Sequence, residues 1–211
     1  RLAADGWVRF PDVPAKSNPC SVGVLIPRHG TRTFEGDDSF VIITTNLEDF
    51  MSQNTFVTQW VEEAARRMKP AKIHWCDGSE AERDELIKGM VDRKEFTPLN
   101  PSKWPNCFYY RSHPSDVART EKVTYICSEK ADDAGPNNNW LSPSDAEKNI
   151  LPWFEGAMKG RTMYVIPYIM GPVGGASSRV GDEITDSPYV VLNMCIMSRM
   201  GKVAEDQLGN S

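Results

Sequence analysis

Much of what would announce a function is missing from this chain. No G-x-x-x-x-G-K-[ST] run occurs in its 211 residues, so the backbone cradle and lysine that a phosphate loop offers a nucleoside triphosphate are not encoded here. No C-x-x-C pair occurs. Cys20, Cys76, Cys107, Cys127 and Cys195 are odd in number and widely spaced, so neither a disulfide framework nor a zinc site is expected. No N-x-[ST] sequon has an allowed middle residue. The apolar runs Val22–Pro27, Met163–Met170 and Tyr189–Ile196 fall far short of the roughly 20 residues a membrane helix needs. There is no basic stripe either. The net charge is -5, and Arg66-Arg67 and Arg93-Lys94 sit among acids as solvated faces, which excludes a nucleic-acid footprint.

What is present is ordinary in bulk and specific in detail. Hydrophobic residues at 40% and charged residues at 25% suit a soluble globular chain, and the length suits one domain with an extension. Residues 1–40 hold Pro11, Pro14, Pro19 and Pro27, with glycines at 6, 23, 30 and 36. They read as an extended arm with one short strand at Ser21–Ile26 and no core of their own. Its opening, RLAADGWVRF, lacks Arg/Ser-rich amphipathic targeting character, so any leader is expected to be gone already.

From Val41 the pattern changes. Val41–Thr45 is β-rich. Phe50–Met68 has a helical stripe of Phe56, Val57, Trp60, Val61, Ala64 and Met68, ended by Lys69-Pro70. Lys72–Cys76 is a buried-type strand. Ser79-Glu80-Ala81-Glu82 is a capping box that opens a helix to about Arg93. Strands follow at Cys107–Arg111 and Lys122–Ser128. Ser142-Pro143 and Ser187-Pro188 each place a capping serine before a proline at the first helical position. A long strand covers Arg161–Met170, Gly171–Gly181 reads as a mobile glycine-rich loop, and Tyr189–Met200 reads as the last helix, with Met194, Met197 and Met200 as an i,i+3 core or interface stripe. Alternating strands and helices predict an α/β fold, a mixed sheet with flanking helices.

Four phrases carry unusual chemistry. In HPSDVARTEKVTYICSE (113–129), the Pro-Ser-Asp turn aims Arg119 outward, where its planar fork suits a carboxylate or phosphate. The plainer reading is a local ion pair between Asp116 and Arg119. In IHWCDGSEAE (73–82), His74 reads as a packed strand residue and Cys76 as a small core residue with nothing adjacent to activate a thiolate. In MKGRTMYVIPYIMGPVG (158–174), Lys159 and Arg161 flank a glycine before a buried strand, either approaching an anion or lying at a solvated strand mouth. EITDSPYVVLNMCIMSRMG (183–201) completes the set.

In this order and spacing the phrases resemble the amino-terminal region of GTP-dependent phosphoenolpyruvate carboxykinases, over about residues 41–211. The resemblance implies that family's amino-terminal-domain fold, preceded here by the arm 1–40. It implies that Arg119 binds the carboxylate of oxaloacetate or the phosphoenolpyruvate group, that Glu121 lies near the active site, and that Arg161 belongs to the same substrate-side set. His113 stands where the family usually has Asp, and Ala157 where it usually has Cys. In the family the nucleotide loop and metal ligands come later in sequence. No cofactor is therefore expected in this chain, and GTP and manganese only together with that remaining half.

The expected function is a non-catalytic accessory subunit of a larger assembly, with other protein chains as partners through the last helix, the 171–181 loop and the arm. The alternative is a portion of an active carboxykinase. A third reading comes from VLIPRHGTRTF (24–34), which resembles the R-H-G-x-R-x-P signature of histidine acid phosphatases, with His29 as nucleophile and Arg28 and Arg32 on the phosphate. Phe34 replaces its final proline, and none of His29, His74 and His113 is followed by the Asp that signature's partner motif requires. The expected compartment is intracellular and reducing, the mitochondrion ahead of the cytosol.

Overall fold

The computed structural model describes residues 7–9, 52, 54–111 and 124–209. Outside them lie the arm apart from Trp7–Arg9, the stretch Val41–Thr45, the 24–34 motif, and the 113–121 turn with Arg119 and Glu121.

Trp7–Arg9 forms β1, antiparallel to β5 (Thr124–Ile126), which in turn runs parallel to β6 (Asn139–Trp140). α1 runs Thr55–Met68, later than the expected Phe50 because Asn54 takes the cap and accepts from the Phe56 and Val57 N–H groups. Lys69 stops the helix in the left-handed region at φ 52°. Phe56 is 63% exposed and does not join the stripe; Ala65 is buried in the core beside Val57, Val61 and Met68, with Trp60 and Ala64 packed against it. β2 (Lys72–Trp75), α2 (Glu80–Asp92) and α3 (Pro143–Phe154) match the expected starts, with the Ser79 and Ser142 side chains accepting at the caps. β3 (Phe96–Pro98) and β4 (Phe108–Tyr110) pair as an antiparallel ribbon.

The central sheet is built on β7 (Thr162–Met170). One edge of β7 takes β2 in parallel, Lys72 opposite Thr162. Farther along the same strand comes β9 (Arg199–Met200), antiparallel. The other edge takes β8 (Arg179–Thr185) over its whole length, Met170 opposite Arg179 and Tyr164 opposite Thr185. The last three residues of the expected 171–181 loop, Arg179–Gly181, are therefore strand. Its turn is tied down: Gln207 accepts from Gly174 N–H and donates to Ser178 Oγ, and Arg199 donates to the Gly171 carbonyl. α4 (Pro188–Met197) is shorter than expected, and α5 (Lys202–Leu208) follows β9. The three methionines do not form one stripe. Met194 and Met200 are buried on different elements, while Met197 is 65% exposed.

The period of two along β7 sorts its side chains into two layers. Met163 and Val165 join Val57, Val61 and Ala65 of α1 with Ile73 and Trp75 of β2. Ile166 faces the other way, against Cys76, Val191, Met194 and Met200, with Leu86 of α2 packed alongside. Each such fully buried aliphatic chain contributes about 1.5–3 kcal/mol. The result is the mixed sheet with flanking helices expected above, here with helices on both faces.

Candidate functional site

The parallel strand β2 delivers its carboxyl end to the start of α2, the edge where α/β folds commonly bind ligands. Ile73 and Trp75 are buried toward α1, so His74 and the following Cys76 project to the opposite face. Gly78, at φ 74°, turns the chain so that Ser79 caps α2 and Glu82 falls at its third position. The capping box is displaced by one residue. Ser79 Oγ accepts from Glu82 N–H at 3.1 Å, but Glu82 Oε2 accepts from Gly78 N–H at 2.9 Å, and Ser79 N–H goes to Asp77 Oδ1 at 2.7 Å. The other carboxylate oxygen, Oε1, lies 2.7 Å from His74 Nε2, and the Glu82 side chain is only 8% exposed. His74 is thus a hydrogen-bond partner of Glu82 as well as a packed residue, edge-on to Tyr164. Cys76 is fully buried, and that burial, then the charge of Glu82, pushes its thiol well up.

The expected anion-binding residue Arg161 meets an internal anion. Its Nη1 lies 2.5 Å from Asp186 Oδ2, and its Nη2 donates to the Ala157 carbonyl. The Asp186 side chain is 3% exposed and its Oδ1 has no hydrogen-bond partner. Burial raises the Asp186 carboxyl, and Arg161 pulls it back. Lys159 is exposed nearby in sequence. We expect Arg161→Ala to cost about 1–3 kcal/mol at pH 7, below the figure for a fully buried pair because the guanidinium is half-exposed. The loss should shrink in acid, where Asp186 takes up a proton. Urea midpoints unchanged at both pH 7 and pH 4 would remove Arg161 from any structural role.

A second group of acids is buried between β8 and α5. Asp182 is 8% exposed, its Oδ1 lacks a partner, and burial together with the charge of Glu205 pushes its carboxyl up to about 7. Ser52 Oγ donates to Glu205 Oε2 at 2.6 Å, while Glu205 Oε1 is unpartnered. An open groove of about 640 Å³ between α1 and α3, with Arg67, Glu147, Lys148 and Glu155 on its walls, includes none of the predicted residues.

Of the predicted site residues, the described structure thus places Arg161 alone. Sequence reasoning missed Asp182 and Asp186 because they fall on and just after a strand that was not expected, beyond the end of the 171–181 loop. It also missed the link from Glu82 to His74, although their positions, third in a helix and second-last in a strand around a glycine turn, carried the signal.

Comparison with known proteins gives these elements a common context. Residues 59–211 match the family model for the phosphoenolpyruvate carboxykinase N-terminal domain. A phosphoenolpyruvate carboxykinase [GTP] of Anaeromyxobacter dehalogenans (strain 2CP-C) is 52% identical over 160 residues, 76% of this chain and 27% of that protein. One from Neocallimastix frontalis is 53% identical over 156 residues, 74% of this chain and 26% of that protein. One from Chlamydia trachomatis is 45% identical over 165 residues, 77% and 28% respectively. The chain therefore spans about a quarter of the length of the curated relatives it matches. The strand–CDGS–helix junction, the K-G-R entry into β7 and the T-D-S-P entry into α4 all lie inside the matched region, and with them this chain belongs to the phosphoenolpyruvate carboxykinase N-terminal domain family.

Proposed function

We propose that this chain is the substrate-side portion of a GTP-dependent phosphoenolpyruvate carboxykinase, acting in the interconversion of oxaloacetate and phosphoenolpyruvate. The observation that carries the reading is the 52% identity over 160 residues to an enzyme of that name. Arg119 is assigned to the carboxylate or phosphate of the substrate, which its planar fork can hold through two parallel hydrogen bonds. Glu121 is assigned beside it. Arg161 serves the same side through Asp186. Phosphoryl transfer also needs donors around the γ-phosphate and a bridging metal. These tasks, and with them GTP and manganese, are assigned to the part of the relatives that this chain does not cover.

A non-catalytic subunit of a larger assembly is the second reading. Ile196 and Met197, 83% and 65% exposed at the end of α4, support a face covered by protein. A catalytic half in the same polypeptide would cover it equally well, and the close identity to enzymes favours that occupant. Both readings retain the reducing intracellular setting, supported by the free state of Cys76, Cys107, Cys127 and Cys195. Among the described residues no helix is long and apolar enough to cross a membrane.

The test is a fusion of this chain to the remainder of the Anaeromyxobacter relative beyond the aligned region. The fusion should form phosphoenolpyruvate from oxaloacetate with GTP and manganese, and this chain alone should not. Arg119→Ala in the fusion should lower kcat/KM by ~100-fold or more, the scale of losing a positioned charge donor. A folded but inactive fusion would transfer support to the subunit reading.

A further inference from the structure

We propose that His74, Cys76 and Glu82 form a binding site for a thiolate-preferring divalent cation of the zinc class, clamping the end of β2 to the start of α2. The three side chains offer one nitrogen, one sulfur and one oxygen, and these ligand atoms all lie within 4.8 Å of one another. The fold explains why they converge. Positions two apart on a strand share a face, and the Gly78 turn carries the third helical position over that face.

The spacing suits a tetrahedral ion after a small adjustment. Zinc bonds of about 2.0–2.2 Å to nitrogen and oxygen and about 2.3 Å to sulfur place ligand atoms roughly 3.3–3.6 Å apart. His74 Nε2 and Glu82 Oε1 are now 2.7 Å apart, joined by a hydrogen bond. Opening that pair by about half an ångström, and drawing the Cys76 sulfur, now at most 4.8 Å from either atom, to about 3.6 Å, gives the required spacing; the partly exposed His74 ring is the member with room to shift, its side chain 27% exposed against 8% for Glu82. Glu82 can give up this bond without releasing α2, because its other oxygen stays on Gly78 N–H. The bound ion would displace the Cys76 thiol proton to solvent and take the Nε2 lone pair of a neutral imidazole whose proton sits on Nδ1, so one proton leaves and no further reactant is required.

Cys195 on α4 packs against the same cluster as Cys76, with its Sγ 3.4 Å from Met200 Sδ, so the protein supplies three donors here. A sulfur-containing set selects zinc or cobalt over manganese and magnesium, which prefer oxygen alone. The site is therefore separate in chemistry from the manganese assigned to the carboxykinase reaction, and it does not depend on that assignment. No C-x-x-C signal marks the site, because the donors come from a strand, a strand exit and a helix rather than from a zinc-ribbon spacing.

The experiment uses the full chain, stripped with a chelator, dialysed, and titrated with cobalt(II) and then zinc(II). We expect a sulfur-to-cobalt charge-transfer band in the near ultraviolet, saturating at one ion per chain and bleached by zinc. Cys76→Ser should abolish the band, and His74→Ala should weaken binding by ~10–100-fold or more. Cys107→Ser, at an exposed thiol, should change neither. Because Cys76 is fully buried, His74→Ala decides the matter if the serine variant fails to fold. Absence of the band in the unaltered chain, its full retention in His74→Ala, or its loss in Cys107→Ser would overturn the site.

Discussion

Gly201→Ala is expected to remove about 3–5 kcal/mol of stability, enough to unfold a chain of ordinary stability. Gly201 has φ 81° and ψ -142°, a region essentially closed to residues with a Cβ. An added Cβ would lie 2.0 Å from the Asp77 carbonyl oxygen and 2.5 Å from the Gly78 nitrogen. Both are backbone atoms that no rotamer change can move. On the facing segment, Gly78 at φ 74° would put its Cβ 2.5 Å from the Met200 carbonyl oxygen. The two glycines let the exits of β2 and β9 touch, and the contact is sealed by Lys202 N–H to Asp77 O at 3.1 Å and Gly201 N–H to Pro167 O at 2.8 Å. Gly160→Ala is the control. Gly160 also has positive φ, 77°, but nothing lies within 4 Å of its Cβ position, so backbone strain alone should cost about 1 kcal/mol. Denaturant midpoints of the two variants should therefore differ widely. Equal, small shifts would show that the crossing tolerates a methyl group.

Stability should also fall as pH rises from about 4 to about 7, and Asp182→Asn should flatten that slope. The Asp182 carboxyl is raised from 3.8 to about 7 in the folded chain. The folded chain thus holds a proton that the unfolded chain releases throughout this interval. The stabilisation is complete below the lower value, declines through the interval and is gone above the upper one. Three pH units correspond to roughly 4 kcal/mol at most, and we expect about 2–3 kcal/mol. Glu205 and Glu183, also raised by burial, act in the same direction, so the comparison must be made against the unaltered chain. An amide at position 182 carries no charge to bury at pH 8, where the variant should be the more stable protein. Parallel stability–pH curves for the two would refute the assignment.

The elements legible in the sequence were those written locally. Ser79 and Ser142 are side-chain caps wherever they stand before a helical run, and the apolar run of β7 is long enough to read unaided. β8 was hidden because Asp182 and Thr185, both polar, are buried there, and Gly181 sits against the Tyr168 ring. Tertiary contact overrides pattern at those positions. The end of α4 was misread for a similar reason. The spacing of Met194, Met197 and Met200 continues the helical period, but Ser198 is extended, with both its N–H and its Oγ on the Met194 carbonyl, and Arg199–Met200 is drawn to the edge of β7. The His74–Glu82 contact was only half visible. A capping glutamate was expected, but which acceptor it would serve depended on a turn geometry that the letters do not specify.

The two edges of β7 differ in how the chain reaches them. Met170 and Arg179 pair across 179 − 170 = 9 positions, whereas Lys72 and Thr162 pair across 162 − 72 = 90. Closing a tether ten times longer costs about 2 kcal/mol more in chain entropy. The β7–β8 hairpin, β9 and α5 thus form a short-range unit within one continuous stretch, and α1 with β2 is a remote segment that must be recruited to it. Lengthening the intervening chain is therefore expected to weaken the β2 edge, and with it the junction carrying His74, Cys76 and Glu82, more than the hairpin.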